Sequence, residues 1–179
     1  MAGNDTLTPD RKLSLCPTKE SMPMRDLIRE CDTCGGFLLY CCCCADKGYY
    51  YDRPGQLCQK QKLIFTDGAC PNNGRPGAKA GMGIAYGSWD RDQFSIPLTE
   101  SIDEVQPHTS QRAELWAAIL GLELFTVSGA GSCDIKKMQT RTKEDQPEWI
   151  VVSDSQYVVR GMTEWLPTWE VCINYHFVT

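Results

Sequence analysis

Leu63-Ile64-Phe65-Thr66-Asp67-Gly68-Ala69-Cys70 is an apolar run that ends abruptly in a carboxylate followed by glycine. Both of its faces are hydrophobic, which marks a buried central strand rather than a half-solvated one. Gly68 frees the backbone to turn and leaves Asp67 at the strand's carboxyl end. Ligand sites of open α/β sheets gather at that end. Trp149-Ile150-Val151-Val152-Ser153-Asp154-Ser155 repeats the pattern. Two apolar strands, each finishing in an aspartate, frame the chain.

Between them the sequence punctuates itself. Pro71-Asn72-Asn73-Gly74-Arg75-Pro76-Gly77 is a loop of turn formers. In Gly81–Gly87, Met82, Ile84 and Tyr86 face one way and small residues the other, a strand with one face cleared for close approach. Phe94, Ile96 and Leu98 alternate likewise, and Pro97 places that strand at a sheet edge. Three strands joined by short turns make an antiparallel meander.

A helix follows, capped by Thr109 or Ser110, with Leu115, Ala118, Ile119, Leu122 and Phe125 as its expected apolar stripe. Glu114 sits on or beside that stripe. A solvated glutamate in a first helical turn is common, but a carboxylate facing a sheet needs a partner or a metal. Strand, helix and a second apolar strand imply a right-handed crossover and a parallel pair. If the two apolar strands are neighbours, Asp67 and Asp154 emerge side by side and the crossover helix lowers Glu114 onto them. Three like charges there need protons or cations, and an all-oxygen set favours magnesium or manganese.

The 179 residues are 42% hydrophobic, enough for one modest domain plus an extension. A net charge of -5 gives no general attraction to nucleic acid, so any such binding is local. No secretory h-region opens the chain, and the apolar run from Gly35 to Ala45 is too short to span a bilayer. A soluble intracellular protein is expected, with nucleus or cytoplasm favoured over mitochondrion and no membrane partner. Eleven cysteines without a signal peptide argue for thiols or metal ligands rather than a disulfide framework.

The expected organisation is an N-terminal extension over 1–60, a main domain over 61–169 and a tail over 170–179. Much of 1–30 reads as disordered, with a short helix available at Met22–Arg29. Within the cysteine-rich stretch 31–44, Cys31, Cys34, Cys41 and Cys44 form two C-x2-C pairs able to hold structural zinc. A reduced, metal-free segment and a redox role are the alternatives. Tyr49-Tyr50-Tyr51 packs on the neighbouring domain or stacks on bases. The basic residues Lys136, Lys137, Arg141 and Lys143 of the Ser128–Glu148 insertion sit among acids and read as a solvated loop.

Phe65-Thr66-Asp67-Gly68-Ala69-Cys70 with Asn73-Gly74, Thr109-Ser110-Gln111-Arg112-Ala113-Glu114, and Ser153-Asp154-Ser155-Gln156-Tyr157 with Gly161-Met162-Thr163-Glu164-Trp165 resemble ribonuclease H type 1 of eukaryotic, fungal-like kind. Each motif alone is weak; three in order and in register over 61–169 are specific. The resemblance implies an α/β ribonuclease H-like fold: a mixed sheet with a three-stranded meander, a parallel strand and a crossover helix. It implies cleavage of the RNA strand of RNA–DNA hybrids with two magnesium or manganese ions at Asp67, Glu114 and Asp154, with Gly68 beside them. It also implies minor-groove contacts from Asn73 and Gln111, a phosphate contact from Thr109, and groove-lining aromatics at Trp165 and Trp169.

The chain departs from the family after Trp169. The family's fourth carboxylate, mobile histidine, last strand and final helices have no counterpart in 170–179, and His176 is not assigned the histidine's role. Val171-Cys172 is consistent with translated splice-donor sequence, so the tail is read as translated intron. The expectation is a weakened or inactive nuclease. A non-catalytic hybrid-binding module and a zinc-dependent interaction protein working through Cys31–Cys44 are the rival functions.

Overall fold

The computed structural model describes residues 12–42, 57–104, 107–128 and 147–166. The elements are α1 (Pro17–Glu20), α2 (Met24–Leu27), β1 (Ile28–Glu30), β2 (Phe37–Leu39), β3 (Gln61–Ala69), β4 (Ala80–Ala85), β5 (Gln93–Leu98), α3 (Ser110–Ser128), β6 (Glu148–Val152) and α4 (Gln156–Arg160). A π-helical turn, Gly161–Trp165, continues α4.

β3 is the centre of a six-stranded mixed sheet. Its neighbours follow from its length and apolar content. β6 runs parallel along one edge, from Gln61 opposite Glu148 to Phe65 opposite Val152. On the other edge, β4 pairs antiparallel with Phe65–Ala69 and β2 pairs with the start of the strand, Leu38 opposite Lys62. β5 closes the meander beyond β4, with Pro97 opposite Gly81. That outer position suits Pro97, which has no N–H to give to a further strand.

α3 covers one face of the sheet. Ile64, Ile84 and Tyr86 are almost fully buried beneath it, and each contributes about 1.5–3 kcal/mol by leaving water. The Tyr86 hydroxyl donates to the Gly121 carbonyl, so the ring's polar end is satisfied inside the core. The buried side of α3 differs in part from the expected stripe, of which Ala118 is buried. Ala113, Ala117 and Gly121 face the sheet, flanked by Leu120 and Leu124, whereas Ile119 and Leu122 are exposed. Close packing of the helix axis on β3 selects small residues along the line of contact, and Trp116, Leu120 and Leu124 pack beside it.

The opposite face is covered by residues expected to form a separate extension. Leu27 and Leu39 bury against Leu63, with Leu15, Met22, Ile28, Phe37, Phe65, Ile150 and Val152 packed around them. The β1–β2 hairpin joins the sheet beyond the end of β4: Phe37 N–H donates to the Tyr86 carbonyl at 2.7 Å and Ser88 N–H to the Gly35 carbonyl at 3.0 Å. Gly35, at φ +70, turns under the Trp89 ring, where a side chain would collide. Residues 15–39 thus share one core with the main sheet. The expected Met22–Arg29 helix is one turn long and ends where β1 begins.

Candidate carboxylate and metal site

The parallel register of β3 and β6 sets the site. Phe65 stands opposite Val152, and each strand reaches an aspartate two residues later, so Asp67 and Asp154 leave the sheet level with one another. β3 continues through Asp67 to Ala69 against β4, with Asp67 opposite Gly83. β6 ends at Val152, and Asp154 lies in the turn before α4. Ser153 Oγ accepts from Ser155 N–H at 3.2 Å, and Ser155 caps α4 by accepting from Val158 N–H at 3.4 Å. Those bonds fix the turn that carries Asp154.

Glu114 comes from the first turns of α3. At Gly68 the helix backbone meets the strand with no room for a side chain, because a β-carbon there would collide with the Ala113–Glu114 peptide. That approach delivers Glu114 to the two aspartates. Ligand oxygens of Asp67, Glu114 and Asp154 all lie within 4.8 Å of one another, the one such group among the described residues.

The site is electrostatically unbalanced. Burial pushes the Glu114 carboxyl above its ordinary range, the charges of Asp67 and Asp154 push the same way, and a hydrogen bond from the Gly68 backbone opposes them. Glu114 Oε2 is buried with no hydrogen-bond partner. An orphaned carboxylate oxygen beside two further carboxylates suits a bound cation, and the all-oxygen set fits magnesium or manganese. A groove of about 440 Å3 adjoins it, lined in part by Phe65, Gly83, Ala85 and Val152 as well as Asp67 and Asp154.

The N-terminus of α3 gathers three of the expected substrate residues. Thr109 Oγ1 accepts from Arg112 N–H at 3.2 Å, and Asn73 Oδ1 accepts from Ser110 N–H at 2.8 Å. Asn73 and Gln111 are exposed on this end, one turn before Glu114. Trp165 is half-buried, edge-on to Tyr157 at 5.6 Å with the Arg160 guanidinium over it at 5.2 Å. Trp169 lies outside the described residues, as do Phe125's side chain, His176, Tyr49–Tyr51 and the basic residues of the insertion.

Sequence reasoning missed one pair. The Arg112 guanidinium grips the Asp103 carboxylate with two hydrogen bonds, one from Nε at 2.6 Å, and the Asp103 side chain is 2% exposed. Asp103 pushes the Arg112 guanidinium higher still. Beside them, the buried His108 carbonyl accepts from Gly74 N–H at 3.0 Å and from the Cys70 thiol at 3.4 Å. These bonds tie the Pro71–Gly77 loop and the Thr99–Asp103 turn to the base of α3. The signal was Arg112 itself, a cation two residues before Glu114 and in need of a partner.

The zinc expectation is not supported. Cys31, Cys34 and Cys41 do not form a three-ligand group among the described residues, and Cys44 lies outside them. Cys31 and Cys34 are buried with Leu38 instead. They occupy the turn before β2, whereas Cys41 follows β2, so the hairpin separates the two halves of the expected ligand set.

Residues 59–176 match the family model for RNase H. The chain belongs to the RNase H family. The family match extends past Trp169, to residue 176. Ribonuclease H of Schizosaccharomyces pombe is 32% identical over 113 residues, covering 63% of this chain and 33% of that protein. Ribonuclease H of Blochmanniella floridana is 35% identical over 111 residues, 62% of this chain and 50% of that protein. Rat Ribonuclease H1 is 29% identical over 108 residues, 60% of this chain and 30% of that protein. The chain thus spans a third to a half of the length of these RNase H relatives. A solved structure of the foamy viral protease-reverse transcriptase in complex with dsDNA is 27% identical, covering 62% of this chain and 57% of that chain, at a TM-score of 0.37. Among the described residues no helix is long and apolar enough to cross a membrane.

Proposed function

We propose that this chain hydrolyses the RNA strand of RNA–DNA hybrids with divalent ions held by Asp67, Glu114 and Asp154. The observation that carries the reading is the convergence of those three carboxylates from three separate elements of an RNase H domain. Magnesium or manganese, when bound, would acidify a water and offset charge on the scissile phosphate. Asp67 and Asp154, both exposed, present oxygens toward the open groove, while Glu114 closes the site from the helix side. Gly68 contributes by keeping α3 close.

Asn73 and Gln111 would read the hybrid's minor groove, where the 2′-hydroxyl distinguishes RNA from DNA. Thr109 would contact a phosphate from the same helix end, and Trp165 would line the path of the DNA strand. The support is the clustering of Asn73, Thr109 and Gln111 around the amino end of α3 and the place of Trp165 at the end of the π-helical turn that follows α4.

A hybrid with end-labelled RNA, incubated with the chain and magnesium, tests the reading. RNA cleavage that is lost on chelation and in Asp67→Asn is the expected result. Equal hybrid binding by wild type and Asp67→Asn, with no cleavage by either, would replace it with a non-catalytic hybrid-binding module.

A further inference from the structure

Cys16 and Cys42 come from different parts of the chain, 26 positions apart, and their sulfurs lie 3.2 Å from each other. Cys16 is exposed at the residue before α1, and Cys42 is half-buried just after β2. Closure to a disulfide needs the sulfurs to approach to about 2.05 Å, a movement open to the exposed Cys16 side chain.

The two thiols are not equivalent. The backbone of Lys19 lowers the Cys16 pKa from the ordinary value, helped by the hydrogen bond shared with Cys42. The same sulfur contact pushes Cys42 up. The outer, more acidic thiol is the nucleophile, and the inner one resolves.

We propose that Cys16 and Cys42 form a thiol–disulfide exchange site that takes a low-molecular-weight disulfide as its co-reactant. The Cys16 thiolate attacks one sulfur of the small disulfide, forming a mixed disulfide and expelling one thiolate. Cys42 loses its proton to water and attacks Cys16 Sγ, forming the Cys16–Cys42 bond and expelling the second thiolate. One small disulfide is reduced to two thiols, and the protein dithiol is oxidised.

The bridge acts on the sheet. Leu15 and Met22, on either side of α1, pack against the buried cluster of Leu27, Leu39 and Leu63, as Ile150 and Val152 do, and Lys19 Nζ donates to Gln61 Oε1 at 2.9 Å. Gln61 in turn donates to Glu148 Oε2 at 2.8 Å. Oxidation therefore pins the segment that covers the two strands leading to Asp67 and Asp154.

The test uses the full chain, purified reduced and then treated with oxidised glutathione, with remaining thiols blocked by N-ethylmaleimide and bridges mapped by tandem mass spectrometry. The expected first bridge is Cys16–Cys42, accompanied by a Tm rise of about 5–10 °C. In Cys42→Ser, Cys16 retains glutathione and the Tm rise disappears, while Cys43→Ser and Cys44→Ser still form the bridge. Cys16 joining another cysteine, holding glutathione unresolved in the wild-type chain, or staying reduced while other cysteines react would each overturn the proposal.

Discussion

Gly68 and Glu114 are set against each other so closely that a β-carbon on Gly68 would stand 2.7 Å from the carbonyl oxygen of Ala113, the residue before Glu114. Strand and helix cannot both keep their places if that hydrogen becomes a methyl group. Gly68→Ala is expected to cost about 1–3 kcal/mol by overpacking and to carry Glu114 away from the aspartates. Urea unfolding with and without magnesium measures both effects. A variant with unchanged stability and an unchanged ion-dependent shift would show that this contact does not place Glu114.

Glu114 also gives the metal-free chain a defined pH dependence. Its carboxyl is raised in the fold above the ordinary value of 4.5, so on raising the pH the unfolded chain releases its proton first. Between the ordinary and the raised value the folded state binds more protons, and stability falls as pH rises. The penalty is absent below the ordinary value and complete above the raised one. Without metal, Glu114→Gln should therefore melt higher than wild type at neutral pH, with the gap closing below pH 4.5. Saturating magnesium at a hundredfold excess over its Kd should stabilise wild type by about 2.7 kcal/mol and the variant by less. Parallel melting curves at every pH would count against it.

The Arg112–Asp103 pair anchors the base of α3. Arg112→Ala leaves the Asp103 carboxylate, 2% exposed, without its main counter-charge. Breaking a buried pair this way costs about 3–5 kcal/mol; the guanidinium is 35% exposed, which lowers the expectation to about 2 kcal/mol. Arg112→Lys should recover less than half, because an ammonium cannot reproduce the two-pronged grip. Chemical denaturation of the three chains decides it: a lysine variant as stable as wild type would mean that charge alone matters.

Leu38, in the cysteine-rich segment, is 1% exposed. If β1 and β2 share the core of the main sheet, Leu38→Ala should lower the stability of the whole domain by about 2–4 kcal/mol in a single transition. Hydrogen exchange at β3 amides reports the same loss. Unchanged protection in β3 would make the hairpin an independent appendage.

Much of the fold was legible because each strand carries its own signature. The doubly apolar run ending at Asp67, the alternation at Met82, Ile84 and Tyr86, and Pro97 at the edge all depend on local periodicity, which survives in one dimension. The buried side of α3 did not, because the rule counts large apolar residues. Contact with β3 instead selected Ala113, Ala117 and Gly121 for their smallness, a demand set by the strand on the other side. The β1–β2 hairpin was illegible for a similar reason. Its three-residue strands have too little period to detect, and their meaning comes from the open edge beyond β4.

By itself the sequence determined the family, the two apolar strands that lead to Asp67 and Asp154, and the helix that bears Glu114, since these rest on short-range pattern; that β3 runs on past Asp67 to Ala69 was set by its pairing with β4. Only the tertiary structure decided that the β1–β2 hairpin joins the sheet, that Cys31 and Cys34 are buried beside Leu38, that Asp103 holds Arg112, and that Cys16 meets Cys42. Each of these joins residues far apart in the chain through packing, burial or charge. Such pairings have no spacing rule to announce them, because the free energy that selects them exists only once the surfaces have met.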